Sequence, residues 1–231
     1  MATRTSPKKA APNLDRGQLV ERALAIADLE SLDAITIRRL ASEFGVTPMA
    51  LYWHFENKEA LLAAMGDAFY DRIELGPLSD PGEQWDKRLR RVLDALVDTL
   101  RRHPASSSLA MPRILQCASG LALTELTLQL LVDAGFSTQE SADIARTALQ
   151  TVMMLVAGQP GGEFTVATQQ RDQVLADKRR TISQLPAERY PRVIESVGAL
   201  TACEDDDSYF GYGIDLFLAG VCSRHAQLSL V

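Results

Sequence analysis

The sequence predicts an all-α fold, and three observations carry that expectation. Apolar residues outside the turns recur at three- and four-residue spacing along most of the chain. No run alternates apolar and polar residues as a half-buried strand does. Glycine, proline and short polar cap residues punctuate the periodic stretches. The 231 residues show no internal repeat and fit one large or two small domains, with a 46% hydrophobic share ample for a core.

Residues 1–13 are rich in Ser, Thr, Lys, Ala and Pro and read as a disordered basic arm carrying Arg4, Lys8 and Lys9. Two readings stay open for it: an arm that touches phosphates or the minor groove, or a solvated tail. It lacks the apolar stretch of a signal peptide. A first helix over about Leu14–Leu32 places Leu19, Ala23, Ile26, Ala27 and Leu29 on one face.

The most informative stretch follows, from Thr36 to Leu62. Thr36 caps a short helix whose Ile37, Leu40, Ala41 and Phe44 form an apolar face. Gly45 sits where that helix must turn, at a position that favours positive φ. Val46 packs inside the turn. Thr47 is a second cap and Pro48 stands at the first helical position, where its missing N–H costs nothing. Leu51 and Phe55 point to the core, and Asn57 caps a further helix from Lys58. This is the pattern of a helix-turn-helix, a shape that fits one helix into the major groove of DNA. Met49, Ala50, Tyr52, Trp53 and His54 are left on or near its outer face. Tyr52 and Trp53 read either as partly buried core or, since large exposed apolar groups mark contact surfaces, as a docking face. The expected DNA contacts are Thr36, Arg38, Thr47, Pro48, Met49, Ala50, Tyr52, Trp53, His54 and Lys58. Arg38 is the candidate for bidentate reading of guanine. Tyr52, His54 and Lys58 can reach phosphates, helped by the positive end of the helix dipole.

Leu51-Tyr52-Trp53-His54-Phe55 followed by Asn57-Lys58-Glu59-Ala60-Leu61-Leu62 resembles the TetR-type (TetR/AcrR) transcriptional regulators, especially the tetracycline repressor branch. The resemblance is strong over residues 14–75. It continues more weakly through Gly82-Glu83-Gln84-Trp85, Ala134-Gly135-Phe136-Ser137 and Tyr209-Phe210-Gly211-Tyr212-Gly213. It implies an N-terminal three-helix DNA-binding domain over 14–60 and a C-terminal helical ligand-binding and dimerisation domain over 61–231. It also implies a homodimer bound to a double-stranded palindromic operator, and a small-molecule effector that releases it.

Beyond the head, Leu61, Met65, Phe69 and Ile73 stack along a helix expected over Lys58–Leu75, a lever into the second domain. Leu89, Val92, Leu93, Leu96, Val97 and Leu100 mark an amphipathic helix ending near His103-Pro104, where His103 reads as a C-terminal residue favoured by the dipole. Its opposite face holds Lys87, Arg88, Arg90, Arg91, Asp94 and Asp98, either a second basic patch or a solvated mixed face. Leu121–Val132 is leucine-rich nearly all round and reads as buried on most sides. Ser137 and Glu140 have capping-box spacing and open a helix through Val156, which Gln159-Pro-Gly-Gly162 breaks. Residues 168–200 read as one or two poorer helices interrupted by Pro186 and Pro191. Glu204–Asp207 loads the start of the last helix with favourable negative charge. That helix carries Tyr209, Phe210, Tyr212, Ile214, Leu216, Phe217, Leu218 and Val221 all round, so it must be buried in a core or by a partner. The resemblance pairs it with the helix before the Gln159 loop in a four-helix dimer interface.

Net charge is −6 and the pI is near 5.2. Residues 1–60 are neutral, with eight basic and eight acidic side chains, so the acidic surplus lies in the remainder. A local basic patch suffices for DNA when acidic surface lies elsewhere. Cys117, Cys203 and Cys222 are odd in number and scattered, and read as reduced core thiols of a cytoplasmic protein. No apolar run is long enough for a membrane span.

Catalytic sets are missing: there is no glycine-rich phosphate loop, no His-x-x-x-His helix and no elbow serine, and His54, His103 and His225 lie far apart. The expectation is therefore no enzyme, no cofactor and no metal site. The alternative, a small helical enzyme or ligand-binding protein with no DNA role, leaves the Tyr52-Trp53-His54 surface unexplained.

The resemblance also implies where an effector sits. The tetracycline-binding branch uses two histidines, which fall by position at Glu74 and Ala110, and an asparagine and a phenylalanine, which become Val92 and Leu96. The metal-binding groups are gone, so a more apolar effector than tetracycline–magnesium is expected. The candidate lining is Trp85, Leu89, Val92, Leu96, Met111, Ile114, Gln116, Met153 and Met154, with ordinary core packing the competing reading for each. At the reading head the branch has Gln-Pro-Thr where this chain has Pro48-Met49-Ala50. A different operator is therefore expected, with Met49 and Ala50 offering apolar contact to thymine methyls.

Overall fold

The computed structural model describes residues 14–80, 82–160, 168–202 and 205–228. Its elements are helical throughout: α1 (Arg16–Leu29), α2 (Ile37–Glu43), α3 (Pro48–Tyr52), α4 (Lys58–Asp71), α5 (Trp85–Leu100), α6 (Ala118–Asp133), α7 (Thr138–Ala157), α8 (Thr168–Ser183), α9 (Pro191–Glu195), α10 (Val197–Thr201) and α11 (Asp206–Leu228). Short 3₁₀ turns at Leu32–Ala34, Gly76–Ser79, Pro104–Leu109 and Met111–Arg113 join them. No strand occurs among the described residues.

Helix α1 packs over the head with Leu19, Leu24, Ile26 and Ala27 buried, but Leu29 is exposed at its last turn. Helix α4 runs from the head into the second domain, so the boundary drawn at residue 60 falls inside one continuous helix. Leu61, Met65 and Phe69 are fully buried along it. It ends at Asp71, four residues earlier than expected, and Ile73 lies beyond it.

Helix α5 is the spine of the second domain. Leu89, Val92, Leu93, Leu96, Val97 and Leu100 are all buried against α4, α6, α7 and α11. Its opposite face is a set of ion pairs. Arg90 meets Asp94 and Asp215, Arg91 meets Glu83 at 3.0 Å, and Arg101 meets Asp98 at 2.9 Å. This decides for the mixed, solvated face.

The capping box of α7 forms, with Ser137 Oγ accepting from the Glu140 N–H at 3.3 Å. Two expected burials fail within the subunit. Leu121 and Val132 on α6 are exposed, as are Tyr212 and Leu216 on α11, because a helix apolar all round exceeds what three neighbours cover. Helices α8–α10 pack on one another and contribute nothing to the core; between residues 172 and 200 no side chain is buried. Cys117 and Cys222 are partly buried, and burial pushes both thiols up. The 1–13 arm, Gly161, Gly162, Cys203 and Glu204 lie outside the described residues.

Candidate nucleic-acid interface and ligand cavity

Local chemistry builds the head much as the sequence dictates. Thr36 Oγ1 accepts from the Arg39 N–H at 3.0 Å and starts α2. Gly45 takes φ 64°, which lets the chain leave α2, and the Val46 N–H returns to the Ala41 carbonyl at 3.0 Å. Pro48 opens α3 as expected. Thr47 holds the cap position in extended conformation, but its hydroxyl makes no cap bond, a departure from the expected role. Asn57 Oδ1 accepts from the Ala60 N–H at 2.7 Å and starts α4. Buried Leu40, Leu51, Phe55 and Leu61 lock the three helices together.

This packing sorts the head's side chains. Met49, Tyr52 and Trp53 face solvent, Trp53 being 86% exposed, so the core reading of Tyr52 and Trp53 is excluded within the subunit. Thr36, Arg38, Thr47 and Pro48 are exposed as well, and Ala50, His54 and Lys58 are half-exposed. Arg38 and Lys58 form no ion pair among the described residues. Arg39, next in sequence, is committed elsewhere: it pairs with Glu30 at 2.9 Å and with Glu43, which also takes Arg22. Donation to the Glu30 carboxylate raises the Arg39 pKa, and the hydrogen bond accepted from Arg22 holds Glu43 below the usual carboxylate range. One arginine is structural and its neighbour is exposed with no ion pair among the described residues.

The far half of α4 is keyed to the segment before α6. Tyr70 donates its buried hydroxyl to the Ala110 carbonyl at 2.8 Å, and burial pushes the phenol up, keeping it a neutral donor. Arg113 holds Asp67 through Nε at 2.6 Å and Nη2 at 3.2 Å, and Ser119 donates to Asp71 at 2.5 Å. His103, outside α5 rather than at its end, meets Asp28 of α1 at 2.6 Å, an interdomain contact instead of a dipole cap.

That same segment forms one wall of a cavity of about 380 Å³ between α5, α6 and α7. Of the nine candidate effector contacts, Val92, Leu96, Met111 and Ile114 line it. The other five expected residues do not. Trp85 stacks edge-on against Phe136 and contacts His225, and Leu89 and Met153 are buried outside the lining. Gln116 faces solvent and accepts from Arg113, and Met154 faces out on α7. The lining that sequence reading missed is Leu115 and residues of α6 and α7, among them Leu123, Thr124, Thr127, Leu149 and Arg146. A pair of threonines three apart on an otherwise leucine-rich helix was the available signal. Of the two tetracycline-branch histidine positions, Glu74 is exposed and Ala110 is fully buried. No carboxylate or histidine lines the cavity, and no group of three or more metal-binding side chains converges among the described residues.

An outward-facing reading helix, a lever and a cavity touching the lever's support define a helix-turn-helix regulator with a helical ligand-binding domain. Comparison with known proteins agrees. Residues 19–65 match the family described as "Bacterial regulatory proteins, tetR family", and residues 77–224 match "Tetracyclin repressor-like, C-terminal domain". The chain belongs to the tetR family and is a DNA-binding transcriptional regulator, not an enzyme. It is 29% identical over 217 residues to the tetracycline repressor protein class C of Escherichia coli, covering 90% of each chain. It is 29% identical over 221 residues to the HTH-type transcriptional repressor DrrR1 of Streptomyces coeruleorubidus, covering 91% of this chain and 78% of that one. The fold matches the Streptomyces coelicolor TetR family protein ActR in complex with actinorhodin, with TM-score 0.69 and 24% identity over 92% and 98% of the two chains. No single described helix is long and apolar enough to cross a membrane.

Proposed function

We propose that the protein is a cytoplasmic repressor that binds a palindromic operator as a homodimer and is released by an apolar small molecule held between α5, α6 and α7. The observation that carries this reading is the shared segment 109–119. Its Leu109, Ala110 and Arg113 support α4 through Gly66, Tyr70 and Asp67, while its Met111, Ile114 and Leu115 line the cavity. A ligand that displaces this wall displaces the helix whose other end carries Lys58. By linkage, the effector must bind the non-DNA conformation better, by the factor with which DNA disfavours it. Named relatives are repressors, and ActR has been crystallised with the small molecule actinorhodin.

Dimerisation rests on the face left uncovered. Met154 of α7 and Tyr212 and Leu216 of α11 are 69%, 68% and 60% exposed and form the apolar surface that a second copy would bury. Helices α8–α10, without a core of their own, extend the surface available to it. Two-fold symmetry is what two half-sites in adjacent major grooves need. Arg38, Met49 and Ala50 would read bases, and Thr36, Thr47, Pro48, Tyr52, Trp53, His54 and Lys58 would meet backbone and sugar, with the N-terminal arm beside them. Binding-site selection from random duplexes tests the reading, with light scattering of the protein in parallel. A palindrome and a dimer mass are expected; a single asymmetric site bound by a monomer overturns it. Leu216→Glu should shift the mass to monomer and cut operator affinity.

A further inference from the structure

The cavity's few polar groups have a direction. Thr127, 6% exposed, donates its hydroxyl to the Leu123 carbonyl at 2.8 Å, and Thr124 donates to Gly120 at 2.8 Å. Their hydrogens are directed to their own helix, which leaves the oxygens of these two lining residues with lone pairs to accept. Arg146 stands at the other extreme. Its side chain is 64% exposed, which puts it at the solvent side of the lining, and one N–H is spent on Asp143 at 2.6 Å, leaving others on the fork. Everything else in the lining is aliphatic or methionine. The polar inventory is therefore acceptors at the closed end and a cationic donor at the mouth, with no acid to hold a cation.

We propose that the effector is an apolar organic acid bearing a hydroxyl or N–H donor, its donor meeting the Thr124 and Thr127 oxygens and its carboxylate meeting Arg146. This rests on reading the cavity as the effector site. A ligand carbonyl at the closed end would face threonine lone pairs, whereas a hydroxyl gains a hydrogen bond there. A carboxylate at the mouth gains a charge-assisted bond without being fully desolvated. Asp143 competes for the same guanidinium, so Asp143→Asn should tighten the acid.

The test uses the full-length protein in calorimetric titrations with four probes. These are naphthalene, 6-hydroxy-2-naphthoate, its methyl ester and 6-methoxy-2-naphthoate. The hydroxy acid should bind about tenfold tighter than either the ester or the methoxy acid. Arg146→Gln should erase the acid–ester difference and leave the hydroxy–methoxy difference. Thr127→Val should do the reverse, with Thr127→Ser restoring it. Equal affinity of acid and ester, or differences that survive both substitutions, overturns the proposal. If naphthalene binds and the hydroxy acid binds no better, the chemistry proposed here is wrong and the cavity reading stands. If none of the four binds, the cavity reading falls and takes this proposal with it.

Discussion

Replacing Gly66 with alanine sets two effects of opposite sign against each other. In an isolated helix, alanine is favoured over glycine by about 0.5–1 kcal/mol. In this structure an added Cβ would lie 2.5 Å from the Leu109 carbonyl oxygen and 2.7 Å from Arg113 Cγ. Ordinary contact begins near 3.4 Å, so α4 and the 109–113 segment must part by about 0.9 Å. The obstructing atom is backbone and cannot rotate away. Overpacking of this kind costs about 1–3 kcal/mol, so the net change is a loss of about 1 kcal/mol, or about 2–4 °C in Tm. The separation also acts through the lever. The end of α4 is held by Tyr70 on Ala110 and by Asp71 on Ser119. Gly66 is about 6 Å from that anchor and Lys58 about 18 Å, at about 1.5 Å per residue. A shift of about 0.9 Å at Gly66 thus becomes about 2.7 Å at the reading head, from the same ratio of helix lengths. Thermal melting and fluorescence anisotropy with selected operator DNA at fixed salt read both outcomes. A lower Tm and weaker operator affinity without effector are expected. A higher Tm, as propensity alone demands, or an unchanged operator affinity would refute the reasoning.

Three further outcomes follow from the same structure. Arg38→Ala should flatten sequence preference, costing about 1–3 kcal/mol at the cognate site, while Lys58→Ala should weaken all duplexes evenly; competition binding against mutated sites separates them. Tetracycline with magnesium should leave Tm unchanged in a thermal-shift titration, since the cavity offers no metal ligand, and a rise of several degrees would count against that lining. Glu140 is held below its usual carboxylate pKa first by Arg224 and then by Ser137, tying α7 to α11. A depressed carboxylate contributes stability above its unfolded value, near 4.5, and loses it as pH falls through its lower folded value. The Tm gap between wild type and Glu140→Gln should therefore be present at pH 7 and close on acidification below about 4.5.

The head was legible because its determinants are local. Thr36, Gly45, Pro48 and Asn57 each act on backbone groups within a turn of themselves, and the sequence displays them side by side. The lever and the α5 spine were legible for a similar reason, since periodicity fixes which face of a helix is apolar. Periodicity says nothing of whether the space that face meets is filled. Leu89 and Val92 share one stripe of α5 and both are buried, yet only Val92 borders the cavity. Trp85 was a candidate lining residue and is held instead by Phe136 and His225, 51 and 140 residues away in sequence.

Taken alone, the sequence determined the helical class, the reading head and its family. These depend on caps, turns and spacing that operate over a few residues. Tertiary structure decided which of two adjacent arginines is free, where the cavity lies and which threonines and arginine give it polarity. Glu30 and Glu43 reach Arg39 but not Arg38, and three helices far apart in sequence leave a gap between them. Such outcomes are set by long-range placement, which no local pattern encodes.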